Sequence, residues 1–190
     1  MGCESGISKN IISSCITSDA GGLEITAWVF NRADITPTYD ATLKNKITSM
    51  ALVATKQGYK ITGVKKLFNA GHDIVVADDR PDKFTHYFNF QQFEFAAEDI
   101  LNVDAINDVM IFVESKNESV DGDGVFIGLG VKKGLWKSTD TQRANDLLGA
   151  RNLELVSMAG HEEPYSRYIL LDTDYATTLA LLEGLMTPPV

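Results

Sequence analysis

The stretch KFTHYFNFQQFEF, Lys83–Phe95, decides the reading of the fold. Phe84, His86, Phe88 and Phe90 recur at period two, so an extended backbone sets all four on one face. Phe93 and Phe95 take the opposite parity, and a bulge near Gln91-Gln92 would return them to that face. Such an aromatic face needs a second layer to cover it.

Working outward, Ala97–Asp108 has Ile100, Val103 and Ile106 at spacing three and predicts a helix. Val109–Val113 is an unbroken apolar run, the mark of a central strand buried on both faces. Ser119–Gly124 reads as a turn, and Val125–Val131, Leu153–Met158 and Tyr168–Leu171 as further strands. Asp172 or Thr173 then caps a last helix with Tyr175, Leu179, Leu182 and Met186 on one stripe, and Pro188 and Pro189 stop it. Upstream, Leu23–Phe30 is a strand, and Met50–Lys56 and Tyr59–Lys66 flank Gln57-Gly58 as a two-residue hairpin. Ile74–Ala77 is a short strand closed by the turn cluster Asp78–Asp82. Strands outnumber helices and come in runs joined by tight turns. The expected class is mainly β (α+β): an antiparallel β-sandwich or barrel with one or two flanking helices.

Residues 1–22 read as an extended arm. Serines and glycines dominate, and Ile7, Ile11, Ile12 and Ile16 are too few to bury a core. Residues 23–190 form one β-rich domain. The 190 residues are 44% apolar and 23% charged, enough to fill and coat a core, which excludes a disordered chain. No apolar run approaches the roughly 18–20 residues of a spanning helix, so no membrane partner is expected. Met1-Gly2-Cys3 lacks a secretory pattern, and Gly6 stands where myristoylation wants Ser or Thr. Cys3 and Cys15 match no zinc or redox spacing. The net charge of −9 argues against duplex-DNA binding. Residues 96–190 hold 16 acidic and 7 basic residues and carry the whole excess.

Most chemical motifs fail on inspection. Gly128-Leu-Gly130-Val-Lys-Lys-Gly134 approaches a dinucleotide loop, but Lys133 stands where the third glycine belongs and no helix follows. Glycines that let a strand bend or a backbone approach are the better reading. Asp121-Gly-Asp123-Gly begins like a calcium loop, yet Val125 and Lys132 replace its oxygen ligands. His72, His86 and His161 have no His or Cys partner at metal-ligand spacing; a site joining them to Asp78, Asp79 or Glu162 stays open. No nucleophile elbow surrounds Ser157 or Ser166. No catalytic residue, metal or cofactor is expected.

A family resemblance rests on several segments taken in order. They are Gly22-Leu23-Glu24 after a Cys-containing arm, His86–Phe90, Ile111–Glu114 with Lys116, Val125–Gly130 with Gly134-Leu135, and Leu153–Gly160 before a C-terminal helix. Together these resemble virion proteins of crAss-like bacteriophages that infect gut Bacteroidetes, the tail-tube or ring components beneath the portal. The resemblance spans roughly residues 15–190 and carries over no catalytic residue. It implies a tail-tube-like β fold in a closed homo-oligomeric ring of six or twelve copies, twelve preferred, against neighbouring ring or portal proteins. Such a protein is made in the host bacterial cytoplasm and resides in the virion tail.

DNA would pass through that ring without specific binding, since an acidic wall repels phosphate over a Debye length of about 8–10 Å. The candidate channel-facing acids lie in three loop segments: Glu118, Asp121 and Asp123; Asp140 and Asp146; Glu162 and Glu163. Two other classes remain open: a small-molecule or carbohydrate-binding β module, and a hydrolase using the histidines with nearby acids. The expected core joins Phe84, Phe88, Phe90, Ile111, Val113, Phe126 and Leu155.

Overall fold

The computed structural model describes residues 22–62, 68–93, 96–116, 123–145 and 149–188. Its strands are β1 (Leu23–Asn31), β2 (Ile35–Tyr39), β3 (Lys46–Leu52), β4 (Tyr59–Thr62), β5 (Asn69–Val75), β6 (Lys83–Gln92), β7 (Val109–Ser115), β8 (Phe126–Leu129), β9 (Trp136–Gln142), β10 (Arg151–Val156) and β11 (Tyr168–Leu170). The helices are α1 (Ala97–Asp104) and α2 (Tyr175–Gly184).

The apolar run at Val109–Val113 sits where such a run belongs. β7 lies inside a seven-stranded sheet ordered β2-β3-β11-β8-β7-β1-β4, and all five residues of that run are buried. Both faces of the sheet are covered. On one, Ala27, Val29, Ile111, Val113 and Leu129 meet Phe88, Phe90, Leu153 and Leu155 of a four-stranded sheet ordered β5-β6-β10-β9. On the other, Trp28, Phe30, Met110, Phe112 and Phe126 pack with Tyr168, Leu170 and, from α2, Leu182. The chain is mainly β, two open sheets face to face with a helix behind the larger one, and no closed barrel among the described residues. Among the described residues all strand pairs are antiparallel except β3 with β11.

The expected single core is therefore two. Phe126 points away from Phe88 and Phe90 because neighbouring residues of β7 and β8 feed opposite faces of one sheet. Phe84 is only partly buried, since β6 extends past the end of β10, whose last pair is Val156 with Tyr87.

Other local expectations are corrected as well. β6 keeps an unbroken register with β10 through Gln92 and Arg151, with no bulge at Gln91-Gln92; Phe93 is exposed, and Phe95 lies outside the described residues. Gln57-Gly58 makes no hairpin, because β4 pairs with β1. Gly58 instead serves close packing. A Cβ there would collide with Phe30 and Met186, and its N–H donates to the Leu185 carbonyl at 2.8 Å. The last helix is capped by Asp174, whose side chain accepts from the Thr177 N–H in a capping box. The predicted arm lies outside the described residues except Gly22; β1 begins at Leu23.

Candidate functional site

β6 carries His86 and β5 carries His72, and cross-strand pairing sets them opposite each other with ring centroids 6.5 Å apart. Their fates differ. His86 is fully buried. The Gly130 N–H donates to its Nδ1 at 3.2 Å, so its proton sits on Nε2, which donates to the Tyr165 carbonyl at 2.9 Å. Burial lowers its pKa to about 4, against the pull of the Tyr165 carbonyl. Both ring nitrogens are thus engaged in holding the 130 and 165 loops to β6. His72 is half-buried, and its pKa is lowered by burial and then by the charge of Arg167. His161 lies elsewhere, edge-on to Trp136 at 5.5 Å. Among the described residues no group of three or more His, Cys, Asp or Glu side chains is placed to hold a metal.

The glycine-rich segment gains its explanation from Glu163. The expectation placed this acid in a loop facing a channel, and the structure corrects it: Glu163 has no exposed surface. Its Oε1 accepts the backbone N–H groups of Lys132 and Lys133 at 2.9 and 2.6 Å, and its Oε2 accepts the Tyr168 hydroxyl at 3.0 Å. Its own backbone pairs with Phe84 in both directions at 2.8 Å. The turn after Gly130 does present N–H groups to an anion, as phosphate loops do, but the anion is the chain's own carboxylate. Burial raises the Glu163 pKa, and the three hydrogen bonds oppose that rise. Burial first, then the Glu163 charge, pushes Tyr168 above its ordinary value and Tyr39 up to about 12. The Lys132 ammonium lies over the rings of Tyr39 and Tyr165, 5.1 and 5.4 Å from their centroids. The network ties together β2, β6, β11 and two loops.

The remaining predicted acids scatter. Glu118, Asp121 and Asp146 lie outside the described residues. Asp123 is exposed in the turn before β8. Asp140 is not in a loop: it lies on β9, where Arg151 hydrogen-bonds both its oxygens and holds its pKa below the usual carboxylate range. Glu162 folds back on its own loop, accepting from the Gly160 N–H at 2.8 Å, with Lys83 at 3.9 Å. Among the described residues Asp123, Asp140, Glu162 and Glu163 are not gathered into one site.

Two surface features escaped the sequence reading. The first is a cleft of about 210 Å³ between the sheets, where β1 begins. Val113, Ile127 and Leu129 line its apolar part, and Asn69, His72 and Arg167 also border it. Among the described residues Arg167 has no carboxylate partner. The second is the free side of β5, an edge strand that pairs only with β6 among the described residues. At its far end Ile74, Val75 and Val76 are 56%, 38% and 71% exposed. The signal for the second was present in the apolar run Ile74–Ala77; the cleft joins residues too distant in sequence to be read together.

No family model matches the chain, and no curated protein or solved structure matches it either.

Proposed function

We propose that this chain is a virion structural protein that forms a closed homo-oligomeric ring in the tail or portal-proximal channel of a bacteriophage. The observation that carries the reading is β5. An edge strand with unpaired N–H and C=O groups is a template for another chain, and natural proteins blunt such edges with charge, proline or covering loops. Here the edge ends in three exposed aliphatic residues, Ile74, Val75 and Val76. The other edge of the same sheet, β9, is polar, with Lys137, Asp140 and Gln142 on it. The two edges are unlike, and a contact of β5 with a different surface of the next copy is heterologous and closes into a ring if the rotation permits, whereas β5 against β5 would stop at a dimer. The net charge of −9 suits a wall past which DNA slides without adhering. The preferred ring has twelve copies, with six the alternative, and it sits in the virion tail against neighbouring ring or portal proteins.

Native mass spectrometry of the full chain tests this. A discrete six- or twelvefold mass is expected, and Ile74→Lys with Val76→Lys abolishes it without lowering the unfolding midpoint, because both side chains already face solvent. A wild-type chain that stays monomeric at the highest attainable concentration overturns the proposal. The cleft between the sheets favours a second reading, a small-molecule-binding β module, for which the same measurement gives a monomer.

A further inference from the structure

We propose that the outer face of the four-stranded sheet binds a neutral carbohydrate chain. The site is a face of the sheet rather than an edge, so the proposal goes beyond the ring reading and stands without it.

Phe88 and Phe90 of β6 turn toward the other sheet, so Tyr87, Asn89 and Gln91 turn away from it. Cross-strand partners share a face. Asn89 pairs with Asn69 and Glu154, and Gln91 pairs with Asn152, which sets all of these on the outer side. Neither core contains any of them. Asparagine is depleted in strands, yet Asn69, Asn89 and Asn152 stand with Gln91 in one patch across three adjoining strands. Among the described residues none of these four side-chain amides has a hydrogen-bond partner, and the Oδ1 of Asn89, at the centre of the patch, is shut off from water as well. Hydrogen-bonding capacity that a fold leaves unused calls for something outside the chain to meet it. Tyr87 completes the patch. A Cβ at Gly71 of β5 would collide with the Tyr87 hydroxyl and ring, so the phenol is laid across the neighbouring strand in the space that the glycine leaves.

These groups select a ligand by exclusion. Amides and hydroxyls offer too little apolar and aromatic surface for the core of a protein interface. The charged member of the patch is Glu154, already bonded by the hydroxyls of Ser138 and Thr139, and an acid gives a phosphate backbone nothing to bind. A carboxamide presents donors and an acceptor in one plane, which suits the neighbouring hydroxyls of a sugar ring. The negative face of an aromatic ring suits its C–H groups. Three strands span about 10 Å, room for a short oligosaccharide segment. The net charge of −9 works against an anionic glycan and leaves a neutral one unaffected.

The test applies the full chain to an array of neutral and acidic oligosaccharides. Binding to neutral members and not to acidic ones is expected. Tyr87→Ala and, separately, Asn152→Asp are expected to lower it at least tenfold. Asn152→Asp barely changes volume at a partly exposed position, and it decides the matter if Tyr87→Ala lowers the unfolding midpoint. Ile74→Lys with Val76→Lys, which removes the β5 contact, is expected to keep the same preference for neutral members, so loss of the ring and loss of glycan binding read out separately. The proposal is overturned if wild type binds no neutral oligosaccharide above the Asn152→Asp level, or if its binding is confined to acidic members.

Discussion

Glu163 offers the sharpest test of the physical account, because its carboxylate is buried with three hydrogen-bond donors on it. Glu163→Ala removes the acceptor from all three. The contacts of the Lys132 and Lys133 amides are part-buried, within reach of water, but that of the Tyr168 hydroxyl is buried, on a residue with no exposed surface, and the hydroxyl has nowhere to turn. Orphaning one buried polar group costs about 1–3 kcal/mol. With the volume left by the missing side chain, a loss of about 2–4 kcal/mol is expected. Glu163→Gln keeps an oxygen for the two amides and an N–H₂ for the Tyr168 oxygen, and it removes the cost of burying a charge. That variant is expected within about 1 kcal/mol of wild type at neutral pH.

The pH dependence carries a sign. Burial raises the folded pKa of Glu163, so between the unfolded and folded values the native state holds more protons than the unfolded state. Stability then falls as pH rises through that window, starting from about 4.3. Relative to Glu163→Gln, which does not titrate, wild type loses ground as pH rises. Urea unfolding of wild type and both variants across the acidic range measures it. The account is refuted if Glu163→Gln is as damaging as Glu163→Ala, or if wild type gains on Glu163→Gln as pH rises.

Three further outcomes are expected. His86 titrates at about 4 when folded and near 6.5 when unfolded, so its stabilisation is present at neutral pH and lost as pH falls through that window, by about 3 kcal/mol in total; in urea unfolding His86→Gln is less stable at neutral pH but flatter across the same range. Phe88→Ala, at a fully buried ring packed edge-on to Phe68 at 4.8 Å, costs about 3–5 kcal/mol by denaturant unfolding, and a loss under about 1 kcal/mol would contradict its place between the sheets. Gly134→Ala costs about 1–3 kcal/mol by thermal or urea unfolding, since Gly134 has φ +83° and a Cβ there would run into the Asp108 carboxylate that Arg32 grips at 2.7 Å.

The elements legible in the sequence were those whose environment is uniform along their length. β7 reads as an unbroken apolar run because both faces of its sheet are covered, and β6 reads at period two because one face meets the core. β9 was invisible: Trp136–Gln142 is a polar edge strand whose place comes from pairing with β10, not from its own side chains. β2 was missed because Pro37 interrupts it, a residue an edge strand tolerates. Gly58 reads as a turn residue in sequence because a glycine's need for a left-handed angle and its use in close packing look alike in one dimension. Glu163 was misplaced for a related reason. Gly160-His-Glu-Glu-Pro164 has the composition of a solvated loop, and only the N–H groups that follow Gly130, with no helix to use them, hinted that an internal anion was needed.

The lopsided charge also changes meaning in three dimensions. Acids of residues 96–190 pair with bases from the first half: Asp108 with Arg32, Glu183 with Lys60, and Glu162 with Lys83. Asp104 and Asp140 converge on Arg151. Glu114 accepts the Tyr175 hydroxyl, Glu154 the hydroxyls of Ser138 and Thr139, and Asp174 caps α2. Segregation along the chain is therefore not segregation in space, because the two halves interleave in both sheets. Among the described residues this leaves Glu98, Asp99, Asp123 and Asp172 as acids of that half without a side-chain partner, and Glu98 and Asp99 sit in the first turn of α1, where the helix dipole favours them. A channel wall that repels phosphate needs acids whose charge is not already answered by a neighbouring base. Of the acids that the sequence offers for that wall, Asp123 alone among those described is both exposed and unpaired. Its field in a lumen would come from repetition around the ring rather than from any cluster within one subunit.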